Sequence, residues 1–213
     1  MNAAIRVENV TKSFGETVVL SHINAEFEKG KVHGLIGRNG SGKTMLMKCI
    51  CGFVPVSSGR ILINGQVLKK DIDMPKDIGI IIETPGFLPS YSAYRNLKFL
   101  ADIRGKIQRQ QIYDAIARVG LDPRSSRHVG KFSLGMRQRL GLAQAIMEDP
   151  EILILDEPMN GLDKDGVADM RKYLLDLKAA GKTILIASHS TEDIDVLCDT
   201  VHEMDKGVLT AVR

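Results

Sequence analysis

Cysteine is scarce in this chain, and no stretch of it approaches the roughly 20 consecutive apolar residues needed to cross a bilayer. Its three cysteines among 213 residues, Cys49, Cys51 and Cys198, are poorly spaced for a disulfide framework or a zinc site. They are therefore expected to be reduced, mostly buried thiols. The N-terminus has no long apolar core of the kind that directs secretion. Like charges never gather into a block of about six, and the net charge of +3 is mild, so no nucleic acid partner is expected. The short basic stretches Arg104 to Arg109 and Arg124 to Lys131 read as solvated surface. Internal repeats and low-complexity segments are missing too. What remains is a chain of 44% hydrophobic residues, enough to bury a substantial core as one domain over residues 1–213, expected in the cytoplasm.

The most informative residues are Gly37-Arg38-Asn39-Gly40-Ser41-Gly42-Lys43-Thr44. A glycine-rich turn ending in Gly-Lys-Thr is built to hold nucleotide phosphates. It stands between an apolar run, Val32 to Ile36, and an expected helix from Gly42 to Cys51, which is the strand, loop and helix context the motif requires. Glycines at 37, 40 and 42 let backbone N–H groups turn inward toward anionic oxygens, and the helix dipole adds positive character at the same point. Lys43 supplies a mobile charge for the β and γ phosphates, and Thr44 a hydroxyl suited to Mg²⁺. The loop is expected to bind a Mg-nucleoside triphosphate.

Alternation at Ile5 and Val7, and again at Ile23, Ala25 and Phe27, predicts strands with one buried face. Asn64-Gly65 between the apolar arms of Arg60 to Leu68 is a hairpin signal, and Ile78 to Ile82 reads as a short buried strand. From about residue 84 the texture changes to proline-bearing loops followed by helical spacing in Tyr94, Leu97, Leu100 and Ala101, and in Ile112, Ile116 and Val119. These mark an inserted helical subdomain, about 84–137. Beyond it, helix and strand alternate: a helix from Leu134 to Met147, the strand Ile152 to Leu155, a helix near Gly166 to Ala180 and the strand Thr183 to Ala187. That order predicts an α/β fold with a parallel sheet covered by helices, and Val201 to Val212 reads as a terminal hairpin.

The run Ile152-Leu153-Ile154-Leu155-Asp156-Glu157 is a buried strand ending in adjacent carboxylates, at the sheet edge where ligands of open α/β folds collect. Neighbouring side chains at a strand end diverge, so the acids can differ in task. Asp156 is suited to Mg²⁺. Glu157 could act as general base on the attacking water, or orient and polarise it. His189, after the strand Thr183 to Ala187, could donate to the γ phosphate or to that water.

In this order the motifs resemble the ATP-binding subunit of ABC transporters along nearly the whole chain. The resemblance implies a P-loop NTPase (RecA-like) core with a parallel sheet, an N-terminal antiparallel β subdomain and the helical insert. It makes residues 37 to 44 the Walker A loop, Asp156 and Glu157 the Walker B acid and catalytic glutamate, Asn160-Gly161-Leu162-Asp163 the D-loop, His189 the switch histidine and Phe14 the aromatic that stacks on adenine. Phe132-Ser133-Leu134-Gly135-Met136 stands for the signature motif, keeping only Ser133 and Gly135 of its commonest form. Ser133 opens a predicted helix, where hydroxyl, N–H groups and dipole can address a phosphate.

In the family that phosphate belongs to ATP on the opposite subunit, so the implied partners are a second ATP-binding subunit, in a homodimer or heterodimer, and separate transmembrane permease subunits. The implied location is the inner face of the cell membrane. Glu83 stands where the family usually has glutamine and could be a Mg²⁺ or water ligand. Together with Phe-Ser-Leu-Gly-Met it is similar to the branch that exports bacitracin and lantibiotic peptides or confers immunity to them. A soluble ABC-type regulator or assembly factor is the alternative; a single cassette without a heptad run favours the transporter subunit.

Overall fold

A computed structural model describes residues 3–83 and 86–213. Thr84 and Pro85, where the helical insert was expected to open, lie outside the described residues. In chain order the strands are β1 (Ala3–Phe14), β2 (Thr17–Glu28), β3 (Val32–Ile36), β4 (Ser58–Ile63), β5 (Gln66–Val67), β6 (Ile78–Ile81), β7 (Ile152–Asp156), β8 (Thr183–Ala187), β9 (Thr200–Asp205) and β10 (Val208–Ala211). The helices are α1 (Lys43–Ile50), α2 (Ala93–Arg104), α3 (Arg109–Arg118), α4 (Leu134–Ile146), α5 (Lys164–Ala179) and α6 (Thr191–Leu197).

Two sheets follow from two kinds of strand. β1 and β2 alternate, burying Ile5, Val7, Val10, Leu20, Ile23 and Phe27 on one side and leaving charged residues such as Glu26 and Glu28 in water. One wet face suits an antiparallel sheet, and these strands join β4 and β5 in the order β2-β1-β4-β5. The β4–β5 hairpin turns on Asn64 and Gly65, both at positive φ (49° and 82°), as a tight primed turn demands. β3, β7 and β8 are instead apolar almost throughout. They lie inside the second sheet, ordered β10-β9-β3-β8-β7-β6, in which every neighbouring pair is parallel except β9 and β10.

The side-chain period of two splits those apolar runs between two cores. Leu153, Leu155, Ile184 and Ile186 face the helices α2 to α5. Ile152, Ile154, Leu185 and Ala187 face α1 and the antiparallel sheet. Burial on both faces holds these strands firmly, since each buried Leu or Ile contributes about 1.5–3 kcal/mol.

The helical insert packs through Ala93, Leu97 and Ala101 of α2 and Ile112, Ala115 and Ile116 of α3. Ser92 caps α2 by accepting the Arg95 N–H, and buried Asn96 ties down the preceding loop through Leu88, both N–H and carbonyl, and through the Ser92 carbonyl. Leu100, placed by its spacing on the buried stripe, is 37% exposed: it shares the outer face of α2 with Phe99 and Ile103. Beyond the sequence reading, the terminal hairpin is not an appendage, because β9 pairs in parallel with β3. The sequence pattern does not predict the short helix α6, which follows His189 and its neighbour Ser190.

Candidate nucleotide site

The loop 37–44 joins the end of β3 to α1, and Gly37, Gly40 and Gly42 all have positive φ (137°, 77° and 118°). A Cβ on Gly37 would run into the carbonyl of Met204 on β9, so only glycine lets the loop lie this close to the terminal hairpin. The turn of that hairpin braces it further: Gly207 donates its N–H to the Ser41 carbonyl at 2.9 Å and accepts the Ser21 N–H at 2.8 Å. The hairpin thus sets the rim of the loop against β2.

Within the loop, Lys43 Nζ donates to the carbonyls of Gly37 (2.6 Å) and Arg38 (3.1 Å). Burial pulls its ammonium below the ordinary lysine range, opposed by Glu157 and then Asp156. Ser41 Oγ is buried without a hydrogen-bond partner, as a hydroxyl set for an incoming acceptor would be. Thr44 Oγ1 donates to Asp156 Oδ2 at 2.7 Å, joining the first turn of α1 to the end of β7. A hydroxyl and a carboxylate oxygen side by side are hard donors that fit a cation keeping waters and phosphate oxygens in its shell.

Glu157 follows Asp156 at φ 49°, in the left-handed region. Its N–H donates to the Ala187 carbonyl at 3.0 Å, fastening the end of β7 to the end of β8. Its Oε1 lies 3.2 Å from His189 Nε2. Burial pushes the Glu157 carboxyl up, His189 pulls it back, and Asp156 adds to the rise; a carboxylate of raised proton affinity is better placed to take a proton from water. Gly40, Lys43, Thr44, Asp156, Glu157 and His189 line one cavity of about 290 Å³. Asn39 lines it too, and Arg38 lines a neighbouring cavity with His189.

Other expected site residues stand apart. Phe14 is 52% exposed at the end of β1, with Lys12 Nζ 4.5 Å from its ring centre. Ser133 caps α4 by accepting the Met136 N–H at 3.2 Å and faces solvent. Gly135 lies so near the Asn160–Asp163 turn that its Cβ would sit 2.9 Å from the Gly161 carbonyl, and Asp163 caps α5 through the Gly166 N–H. Glu83 is not brought to the cavity of Thr44 and Asp156: its carboxylate pairs with Lys48 at 2.6 Å. An acid needs a counter-charge, and α1 supplies one a single turn beyond Thr44. Residues that the sequence did not single out for the site include Lys48 and Gln138, whose Nε2 donates to the Glu157 carbonyl at 3.2 Å. The only sequence trace of Lys48 is its i,i+4 spacing from Thr44, and Gln138 has none.

The family model described as ABC transporter matches residues 20–160. The chain is 50% identical to the uncharacterized ABC transporter ATP-binding protein YybJ of Bacillus subtilis (strain 168), covering 96% of this chain and 94% of that one. It is 42% identical to the bacitracin transport ATP-binding protein BcrA of Enterococcus faecalis, over 98% of this chain and 68% of that protein. Among solved structures, CbiO1 of Clostridium perfringens, part of the ABC transporter complex CbiONQ, matches with a TM-score of 0.84 and 30% identity, over 99% of this chain and 88% of that one. The chain therefore belongs to the ABC transporter family, as an ATP-binding subunit that hydrolyses ATP to drive transport.

Proposed function

We propose that the chain, acting as a single unit with its helical insert at about 84–137, forms one half of a pair that closes on two ATP molecules and powers export of, or resistance to, an antimicrobial peptide or related small molecule. The observation that carries the catalytic part is the meeting of Lys43, Thr44, Asp156, Glu157 and His189 around one cavity. Residues 37 to 43 would wrap the phosphates, with Lys43 leaving the loop carbonyls for the β and γ oxygens. Thr44 and Asp156 would hold Mg²⁺, which when bound supplies charge neutralisation to the triphosphate. Glu83 would enter that set only by leaving Lys48.

Glu157 would orient the attacking water and take its proton, and His189 would hold Glu157 in place and donate to the γ phosphate side. Phe14 would stack on adenine. Ser133 and Gly135 would address the γ phosphate of ATP bound by the second subunit, using the free N–H groups at the start of α4.

The peptide cargo rests on likeness to the bacitracin transport protein and on Glu83 with Phe132 to Met136. For the membrane partner, the supporting feature is a groove of about 450 Å³ between β6, α2 and the end of α4, where Phe53, Leu100 and Ile103 present apolar surface. A cytoplasmic segment of a permease would dock there and hold the chain on the inner membrane face. Among the described residues, no helix is long and apolar enough to cross a membrane itself.

Replacement of Glu157 by Gln tests the reading. Loss of a positioned base predicts a fall in phosphate release of about 10²-fold or more, with fluorescent-nucleotide affinity retained. Wild-type turnover in Glu157→Gln would remove the residue from this role.

A further inference from the structure

The turn that carries His189 is held by an ion pair, buried on its acidic side, that belongs to none of the motifs above. Asp193, in the first turn of α6, is 2% exposed. Its Oδ1 accepts from Arg171 Nε at 2.7 Å and Nη2 at 2.6 Å, and its Oδ2 accepts from Ser188 Oγ at 3.1 Å. Ser188, also buried, accepts the Ser190 N–H at 3.1 Å. The Asp193 N–H in turn donates to Ser190 Oγ at 3.2 Å. Both chain neighbours of His189 are therefore tied to Asp193, Ser188 through the carboxylate and Ser190 through the backbone N–H, and that carboxylate is gripped by an arginine from α5. The third arm of Arg171, Nη1, reaches Glu192 at 2.7 Å in exposed surroundings.

Taking a charge out of water costs several kcal/mol, so a pair whose acid is buried and whose base is part-exposed adds little net stability. What such a pair can supply is geometry: the planar guanidinium holds one carboxylate oxygen through two N–H groups while Ser188 holds the other, which together fix the carboxylate in angle as well as distance. The imidazole of His189 stands 3.2 Å from Glu157 and is about half open to solvent. Little beyond the turn beneath it limits where the ring points. Misplacement of a reacting or orienting group by about 1 Å can cost 10²-fold in rate.

We propose that Arg171, acting through Asp193 and Ser188, is a positioning residue for His189, so that turnover depends on this network while ATP binding does not. The proposal rests on the reading of His189 as a participant in hydrolysis. It also ties His189 to α5, the helix that begins at the Asn160–Asp163 turn beneath the Ser133 segment.

Steady-state ATPase kinetics, fluorescent-nucleotide titration and thermal unfolding of the full chain test it, with Arg171→Met, Arg171→Lys, Ser188→Ala, Glu192→Gln and His189→Ala measured side by side. Arg171→Met and Ser188→Ala are expected to lower kcat about tenfold or more with nucleotide Kd unchanged within about twofold. Arg171→Lys, which keeps the charge but loses the fork, should fall between Arg171→Met and wild type, and Glu192→Gln should match wild type. If His189→Ala lowers kcat while Arg171→Met and Ser188→Ala do not, the positioning role is overturned. If His189→Ala is itself silent, the reading beneath the proposal fails with it. Parallel loss of kcat, nucleotide affinity and unfolding temperature in Ser188→Ala would make the network merely structural and would also overturn the proposal.

Discussion

The two ends of this molecule proposed to meet phosphate differ in how complete they are. At the Lys43 end, Ser41, Lys43 and Asp156 are each no more than 9% exposed, and their surroundings come from β3, β7, β8, β9 and α1 of the same chain. At the Ser133 end, the described partner of the hydroxyl is the N–H of its own helix, and the residue faces water. The first end has walls, donors and counter-charges in place. The second has an exposed helix start and its dipole, with the Met136 N–H taken by the Ser133 hydroxyl. On the proposed reading, one folded copy suffices for binding nucleotide, whereas the Ser133 end acquires a ligand only when another copy brings it.

Substitutions that strike one end alone break or sharpen this contrast. The largest expected effect is on the pair Lys43→Ala and Ser133→Glu. Lys43→Ala removes a phosphate-binding charge, so nucleotide affinity of the single chain should fall by about tenfold or more, by loss of a charge-assisted bond. Ser133→Glu places a negative charge where phosphate should arrive; it should leave single-chain affinity intact, yet lower ATPase activity by a similar factor or more. Fluorescent-nucleotide titration alongside phosphate release separates the two, and equal loss of affinity in both variants would erase the contrast.

A smaller effect is expected at Phe14, whose exposed ring can stack on a base. Stacking contributes about 0.5–1.5 kcal/mol beyond area burial, so Phe14→Ala should weaken ATP binding several-fold, and Phe14→Tyr should preserve it.

The smallest effect concerns stability at the Lys43 end. His33 and His202 stand edge-on to Phe27, each at 5.3 Å, behind the phosphate loop. His33 is bonded to Thr200 Oγ1 and the Glu28 carbonyl, while His202 Nδ1 has no hydrogen-bond partner. Burial lowers the proton affinity of both, and for His202 the neighbouring His33 lowers it further. Below about pH 6.5 the unfolded chain then binds more protons than the folded one. Their contribution to stability is therefore full above that pH and is lost as pH falls through the lowered folded values. Unfolding temperature should drop between pH 7 and pH 5.5, and less steeply in His202→Gln; an unchanged slope would exclude His202 from the effect.

Much of this was legible in the residues. The phosphate loop, the β7 acids, the β4–β5 turn and the helix starts at Ser133 and near Gly166 depend on local chemistry, on spacing, caps and turn residues, and the structure places them within a residue or two of expectation. What the sequence hid was pairing over distance. Nothing in Arg171 announces Asp193 on another helix, and nothing in Glu83 announces Lys48. α6 was hidden by brevity, since Ile194 and Leu197 give too few apolar positions to establish a period. The place of β9 beside β3 was hidden because hairpin signals fix a turn and say nothing of which sheet the hairpin joins. Leu100 misled because a helix flanked by a second apolar surface carries two stripes, and spacing alone does not say which one is buried.

The most direct test of the claim that each copy holds half of a shared site is the solution mass of Glu157→Gln at saturating Mg-ATP, measured by light scattering. The account predicts a mass twice that of the single chain, returning to the single-chain value when Ser133→Glu is added. A single-chain mass with ATP fully bound would contradict it.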